Sequence, residues 1–293
     1  MPNTQSNTVQ VYDQKTYKLL RTVKVAREPQ HVVPSYDLKT LYANSDLGNS
    51  LMPFDAKTGK PGKRIPLLDP YNLYFTPNGK YAVVMQERMK QIAFADPHTF
   101  KIKKTLKTKC AGVNHADWTA DGNTFVATCE FSGTIIEVDT NKMKVINSQF
   151  IPDTYTIHSK NTHNGLPNMG PQPQDIKLSP DGKTYYIADM MSDGIWKMPA
   201  PWGKLTFIHT GIGAHGLYVT RDAKDLVISN RNEGSISILD FATNKVIHKW
   251  KIPGGGYRWN CLRVASSAAG PPTPTSRVGR SSCATWAGRR WST

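Results

Sequence analysis

QPQDIKLSPDGKTYYIADMMSDGIWKM, residues 172–198, is the stretch that decides the fold. It opens with a short apolar segment, passes through the turn sequence Ser-Pro-Asp-Gly, and continues into a segment rich in Tyr and Ile. A polar turn that ends at Gly194 leads to a third apolar segment. Asp-Gly supplies the positive φ angle of a tight hairpin, and alternating apolar residues favour half-buried strands. The stretch therefore predicts successive antiparallel hairpins.

The same pattern recurs in the rest of the chain at a nearly constant period. The period is visible when the repeats are aligned, because one column of the alignment, at the start of the first strand, contains a polar residue in each repeat: His31, Asn72, His115, Asp175 and His215. Their spacings are 41, 43, 60 and 40 residues. A period of about 40–45 residues with four strands is typical of a propeller blade. Two β-sandwiches are the alternative, but they require neither a constant period nor a turn at a fixed offset. We therefore predict an all-β propeller of four-stranded antiparallel blades, about five complete and one partial.

The repeat also predicts the domain boundaries. A propeller domain covers residues 1–256, with a partial blade at 3–25 and complete blades at about 28–67, 69–108, 112–151, 172–209 and 213–252. Half a blade is missing in front, so we expect a ring with a gap or an irregular sixth blade. Residues 257–293 contain no Lys, Asp or Glu and are rich in Arg, Ser, Gly and Pro. We interpret them as an irregular or disordered tail, or as out-of-frame translation.

Three segments carry a family resemblance: SPDGKTYYIADMMSDGIW, SNTVQVYDQKTYKLLRTVKV and GAHGLYVTRDAKDLVISN resemble the YVTN-type β-propeller repeat. Members of that family usually form seven-bladed rings and are usually exported from bacterial or archaeal cells. The resemblance thus implies an extracellular or periplasmic protein, although residues 1–7 are polar and lack the apolar core of a signal peptide. The family includes enzymes, cofactor-bearing domains and binding scaffolds, so the resemblance implies no single function.

Charge and hydropathy exclude two classes of partner. The formal net charge is +15, but six arginines fall between Arg258 and the C-terminus. The lysines of the preceding residues are mostly isolated, and no basic stripe with interleaved aromatic residues is present, so we expect a solvated basic surface and no nucleic-acid partner. No apolar run reaches the ~18 residues of a membrane span, so we expect no membrane-spanning segment.

The candidate site follows from propeller geometry. First strands line the central channel, so His31, Asn72, His115, Asp175 and His215 are predicted to form a polar ring at one mouth. Second strands return to that mouth, and their last residues extend the candidate ligand-binding set with Asn44, Cys129, Asp189 and Asn230. Three histidines and a carboxylate could bind a transition metal or supply acid–base chemistry. The competing interpretation is structural, with these side chains bonded to neighbouring backbone where the blades converge.

Two further features lie near the same mouth. Cys110 and Cys129 flank the first hairpin of one blade, so a disulfide is geometrically possible. Two inert thiols, or a reactive thiolate beside His115, are the alternatives. The insertion at residues 153–171 contains His158 and His163 and could form a lid over the channel.

The sequence contains no GxSxG, HExxH, phosphate-loop or EF-hand motif. We therefore predict a propeller scaffold that binds a small molecule or a protein partner at the channel mouth, with no assigned catalytic residue, metal or cofactor. The alternative is an enzyme, either lactonase- or lyase-like or a metal-dependent oxidoreductase, that uses the His and Asp ring.

Overall fold

The fold is taken from a computed structural model, which describes residues 1–153 and 170–253. Within these residues, 23 strands form six antiparallel sheets, and the one helical element is the 3-10 turn Glu130–Ser132. The predicted all-β propeller is confirmed. The first sheet has three strands and each of the other five has four.

The sheets are numbered here in chain order, and every sheet is a simple meander. Sheet 1 contains Pro2–Asn3 (β1), Thr8–Tyr12 (β2) and Leu19–Lys24 (β3). Sheet 2 contains Pro29–Pro34 (β4), Thr40–Ser45 (β5), Ser50–Asp55 (β6) and Ile65–Pro66 (β7). Sheet 3 contains Asn72–Phe75 (β8), Ala82–Gln86 (β9), Gln91–Ala95 (β10) and Ile102–Lys107 (β11). Sheet 4 contains Val113–Trp118 (β12), Thr124–Cys129 (β13), Thr134–Asp139 (β14) and Lys144–Phe150 (β15). Sheet 5 contains Pro173–Leu178 (β16), Thr184–Asp189 (β17), Gly194–Pro199 (β18) and Thr206–His209 (β19). Sheet 6 contains Ala214–Val219 (β20), Asp225–Asn230 (β21), Ser235–Asp240 (β22) and Lys245–Lys251 (β23).

The repeated turn between the first two strands of a sheet is closed by a hydroxyl group. In sheet 4, Thr119 Oγ1 donates to Asp121 Oδ1 at 2.6 Å and accepts the Thr124 N–H at 3.2 Å. The following Gly122 has a φ of +70°, a conformation that costs glycine little. Sheet 2 has Leu38 at the equivalent position, with a φ of +60° and its side chain 69% exposed. This leucine therefore adopts the left-handed conformation without any compensating burial.

Apolar clusters lie between consecutive sheets and form the core. Val9 packs with Phe54 between sheets 1 and 2, and equivalent clusters fill the next four interfaces. The first strands of neighbouring sheets also contact one another, as β4 does with β8 and β12 does with β16. Four-stranded sheets cannot bury both faces alone, so this stacking is what stabilises each blade. It also makes the first strands converge on a central channel.

Sheets 1 and 6 are not joined in the same way. Within residues 1–153 and 170–253, no apolar cluster links them and their strands are not paired. On sheet 6, Tyr218 and Trp250 are 65% and 55% exposed. Sheets 1 and 6 therefore differ from the other neighbouring sheets in sharing no apolar cluster among the described residues.

Two predictions fall outside the described residues. His158 and His163, the predicted lid residues, lie in the segment 154–169, and the predicted tail lies in 254–293. Across the part of the chain that the structure describes, no helix has the length and hydropathy of a membrane span.

Candidate functional site

β-Bulges set the direction of the side chains in the channel. The pairing of first and second strands shifts register within Pro29–His31, Val113–Ala116, Pro173–Ile176 and Ala214–Leu217. A bulge leaves residues out of the ladder and turns their side chains away from the regular alternation. The predicted ring residues His115, Asp175 and His215 lie inside these shifts, whereas His31 pairs with Asn44 directly after one. Asn72 begins β8, whose pairing with β9 is regular.

His31 is held in one tautomer by sheet 3. Its Nδ1 lies 2.9 Å from the carbonyl oxygen of Tyr71, and a carbonyl can only accept a hydrogen bond. Nδ1 therefore carries the hydrogen, and in the neutral ring Nε2 carries the lone pair. The His31 ring lies 5.3 Å from the Tyr71 ring and 5.2 Å from the His115 ring, both in edge-on geometry.

His115 is held in the opposite tautomer. The Asn72 side chain accepts the Leu73 N–H at 2.9 Å through Oδ1, so Nδ2 is the atom that lies 3.3 Å from His115 Nδ1. Because the amide nitrogen donates, Nδ1 accepts and Nε2 carries the hydrogen. Asp175 Oδ1 lies 3.7 Å from the same Nδ1, too far for a hydrogen bond. His115 Nε2 is buried and has no hydrogen-bond partner among the described residues.

Asp175 has its oxygens occupied. Oδ1 accepts the Ile176 N–H at 2.9 Å and the Lys177 ammonium at 3.1 Å, and Oδ2 accepts the Leu217 N–H of sheet 6 at 3.0 Å. The charges of Asp175 and Asp117 raise the pKa of Lys177 against the lowering effect of its burial. The carboxylate is therefore a link between sheets as well as the counter-charge of Lys177.

Three histidines of the channel have lowered pKa values. Burial is the main cause for His31, for His115 and for His215, whose pKa falls to about 4. Neighbouring basic groups act in the same direction: the charge that His31 or His215 carries when protonated, and the ammonium of Lys177, lower the pKa of His115, and Arg231 lowers that of His215. All three imidazoles are therefore neutral at pH ~7.

Hydrogen bonds between sheets explain part of the polar ring. His31 donates to the backbone of sheet 3, Tyr74 Oη accepts the Ala116 N–H of sheet 4 at 3.1 Å, and Asp117 Oδ2 accepts the Leu178 N–H of sheet 5 at 2.8 Å. Asp175 continues the series to sheet 6. The structural interpretation therefore accounts for Asp175 and for one nitrogen of His31. It does not account for His115 Nε2 or for His215, whose side chain makes no hydrogen bond within the described ranges.

The four candidates at the ends of second strands are engaged within their own sheets or, for Asn44, with the neighbouring sheet 3. Asn230 donates to Ser235 and Ser237, each at 2.9 Å, and Asp189 accepts the Gln172 N–H at 2.9 Å and the Trp196 indole N–H at 3.3 Å. Asn44 is fully buried beside the Leu73 backbone. Their contribution to ligand binding stays a prediction, and the contacts assign them a structural role.

The remaining member of that set, Cys129, is bonded to Cys110. The two cysteines form a disulfide with a Cα–Cα distance of 5.3 Å, so neither is a free thiol in this structure. The bond ties the segment that enters β12 to the end of β13.

Several channel residues were missed by the sequence analysis. Tyr71 precedes the aligned column by one residue, and its pKa is raised by burial and by the charges of Glu87, Glu130 and Asp46. Each of these acids comes directly after the second strand of its sheet. In sheet 4, Glu130 follows Cys129, the residue that the repeat singled out. Burial, and then the charge of Glu28, raise the pKa of Asp46 to about 6. Glu130 is buried, accepts from Asn114 at 3.0 Å and faces Arg231.

The site therefore has two layers. We call His31, Tyr71, His115 and His215 the histidine cluster; Asp46, Glu87 and Glu130 form an acidic layer around Tyr71. A metal was one interpretation of the ring, but within residues 1–153 and 170–253 no three His, Cys, Asp or Glu side chains lie in an arrangement that could hold an ion.

Comparison with known proteins places the chain among β-propellers. Neither a family model nor a curated protein matches it. Among solved structures, hydrazine synthase of Kuenenia stuttgartiensis is 18% identical with a TM-score of 0.66, covering 81% of this chain and 72% of that chain. A putative 6-phosphogluconolactonase of Bacteroides uniformis is 17% identical with a TM-score of 0.65, covering 86% and 80%. The periplasmic gluconolactonase PpgL of Pseudomonas aeruginosa is 13% identical with a TM-score of 0.64, covering 85% and 78%.

At such identities the likeness shows the fold alone. The chain is similar to lactonase-type propellers in architecture, and the YVTN-type resemblance of its repeats stays a prediction.

Proposed function

We propose that this protein is a β-propeller that binds a small polar molecule in its central channel, at the histidine cluster. The observation that carries the proposal is His115 Nε2, a hydrogen-bond donor on a side chain that is 7% exposed and has no partner for this atom. Leaving such a group unpaired costs about 1–3 kcal/mol. A ligand oxygen would remove that cost.

The surroundings of His115 support the same conclusion. The Asn72 amide fixes the ring, so the donor is oriented before a ligand arrives. His31 Nε2 and the Tyr71 hydroxyl, neither of which makes a hydrogen bond with the described residues, lie on the two rings that contact His115 edge-on. A fixed donor beside a lone-pair nitrogen and a hydroxyl suits a ligand that both accepts and donates hydrogen bonds.

The test uses three probes, D-gluconate, glucitol and glucono-1,5-lactone, which are related to compounds in the names of similar folds. Calorimetry with the His115→Phe variant should show affinity reduced by about tenfold or more, because the donor is lost. Asn72 keeps its bond to the Tyr74 hydroxyl at 2.9 Å in that variant, so folding should survive. His248→Gln, an exposed histidine on β23, is the matched control and should bind as the wild type does. Equal affinity in wild type and His115→Phe would contradict the proposal.

Lactone hydrolysis is the second candidate function. Two observations favour it: the fold likeness to proteins named as lactonases, and a neutral His31 whose Nε2 lone pair could act as a general base at pH ~7. Hydrolysis of glucono-1,5-lactone and its 6-phosphate should then exceed the buffer rate and fall sharply in His31→Gln. Equal rates in the wild type, the variant and buffer would remove this candidate.

The disulfide favours an oxidising compartment, so we place the protein outside the cytoplasm, in the periplasm or beyond. The protein-partner alternative has no specific contact in its support.

A further inference from the structure

Asp175 is the carboxylate whose charge acts on the imidazoles of the histidine cluster, whereas the acidic layer acts on Tyr71. The imidazoles come from three different sheets, with His31 in β4, His115 in β12 and His215 in β20. The nearest carboxylate, Asp175, already accepts two backbone N–H groups and the Lys177 ammonium. It therefore has little capacity left to act as counter-ion for a protonated imidazole.

Each imidazole nevertheless keeps a nitrogen that no described residue bonds. On His115 it is the Nε2–H donor, and on His31 it is the Nε2 lone pair. His215 makes no side-chain hydrogen bond within the described residues. The neutral cluster is thus unsatisfied in hydrogen bonding, and the ammonium of Lys177 places a positive charge near it.

We propose that the histidine cluster is a binding site for a small oxyanion, with a carboxylate as the ligand class, and that His31 takes up the proton that accompanies the anion. This inference rests on the proposed function, because it names the chemistry of a ligand for the same channel site. The anion oxygen accepts from His115 Nε2–H, and protonation converts His31 Nε2 from an acceptor into a second donor.

His31 is the group best prepared for that proton. Its Nδ1–H is already bonded to the Tyr71 carbonyl, which stabilises the protonated ring. The titratable and charged groups that face His31 are Tyr71, His115, Asp175, Lys177 and His215. Asp175 favours the imidazolium, whereas Lys177 and burial oppose it, so the pKa of His31 is low in the free protein. An anion adds the missing favourable charge and raises that pKa.

The pH dependence of anion binding has a definite sign, because binding is linked to protonation of His31. Between the pKa of His31 in the free protein and its higher value in the complex, binding takes up one proton. Affinity then increases by up to about tenfold for each pH unit of acidification, and it is flat outside that window. A neutral ligand gives no such slope.

D-Gluconate and glucitol separate the anion from the polyol, because they share a hydroxylated chain and differ at one end, where gluconate has a carboxylate. We would titrate the full chain with each probe at pH ~6 and pH ~8 by calorimetry in two buffers of different ionisation enthalpy. The expected result is tighter binding of gluconate than of glucitol, proton uptake with gluconate, and an affinity that rises toward pH ~6.

His31→Gln keeps a donor for the Tyr71 carbonyl but cannot take up a proton. We expect it to bind gluconate more weakly than the wild type at pH ~6 and to lose both the proton uptake and the pH slope, whereas His248→Gln should retain both. Equal, pH-independent binding of gluconate and glucitol would overturn the oxyanion inference and leave the proposed channel function intact. If the protein binds neither probe and does not bind the lactone, both the oxyanion inference and the proposed channel function are overturned. An unchanged pH slope in His31→Gln would remove His31 from its assigned role.

Discussion

Asp175 joins sheets 5 and 6, so its replacement by Asn should destabilise the protein by a predictable amount. Asn keeps the shape and one acceptor oxygen, but its NH2 group cannot accept a bond. The Leu217 N–H or the Lys177 ammonium then loses its acceptor, at a cost of about 1–3 kcal/mol. The ammonium also loses the stronger of its two counter-charges, while Asp117 remains; loss of every counter-charge would cost ~3–5 kcal/mol if the group were fully buried. The Lys177 side chain is 28% exposed, so we reduce that part to about 1 kcal/mol.

The total expected for Asp175→Asn is about 2–4 kcal/mol, equivalent to a decrease of roughly 5–15 °C in melting temperature. Urea denaturation of the wild type, Asp175→Asn, Lys177→Met and the double variant measures this cost and the coupling between the two side chains. The double variant should recover part of the stability, since no uncompensated ammonium remains. Asp225→Asn, at the start of β21, is the control and should leave the midpoint unchanged, because the Asp225 side chain makes no hydrogen bond within the described residues. A free energy of unfolding for Asp175→Asn within ~0.5 kcal/mol of the wild type would contradict this role of Asp175.

Three further predictions concern other parts of the fold. Leu38→Gly should stabilise the protein by about 0.5–1 kcal/mol, because glycine adopts the positive φ of this exposed residue without the steric cost of a Cβ. Leu38→Ala keeps the Cβ and should not raise the melting temperature. Removing the Cys110–Cys129 disulfide by a double Ala substitution should cost about 3 kcal/mol in urea denaturation, and no change on reduction of the wild type would contradict a bond in solution. The pKa of Asp46, raised to about 6, favours the protonated carboxyl in the folded state, so stability should fall by roughly 2 kcal/mol as pH rises from ~4 through ~6. Asp46→Asn should flatten that profile, and an unchanged profile would show that Asp46 is not the group responsible.

The sequence predicted the blades because their turns are encoded locally. Residues 172–198 contain a hydroxyl, an Asp and a Gly at the spacing that closes the hairpin, and the same offsets recur in sheet 3 and sheet 4. The period then identified the column of His31, His115, Asp175 and His215. The fold and the aligned candidate residues can therefore be predicted from the turn residues within each blade and from the repeat period.

The chemistry of the column could not be predicted in the same way. Bulges turn side chains out of the strand alternation, and a period of two residues does not reveal where a bulge falls. Tyr71 was missed because it lies one residue before the column, and Lys177 because it lies two residues after it. The tautomers of His31 and His115 depend on partners from the next or preceding sheet, about 40 residues away. Such contacts become visible only when the sheets are stacked.

The histidine cluster can be observed directly by NMR of protein with 15N-labelled imidazole rings, assigned through His31→Gln and His115→Phe. At pH ~7 we expect neutral rings, with the hydrogen on Nδ1 of His31 and on Nε2 of His115. Addition of D-gluconate should shift the His115 Nε2–H signal and convert His31 to the imidazolium. Opposite tautomers in the free protein, or imidazole signals that do not respond to gluconate, glucitol or the lactone, would contradict the claim that this channel is a ligand site.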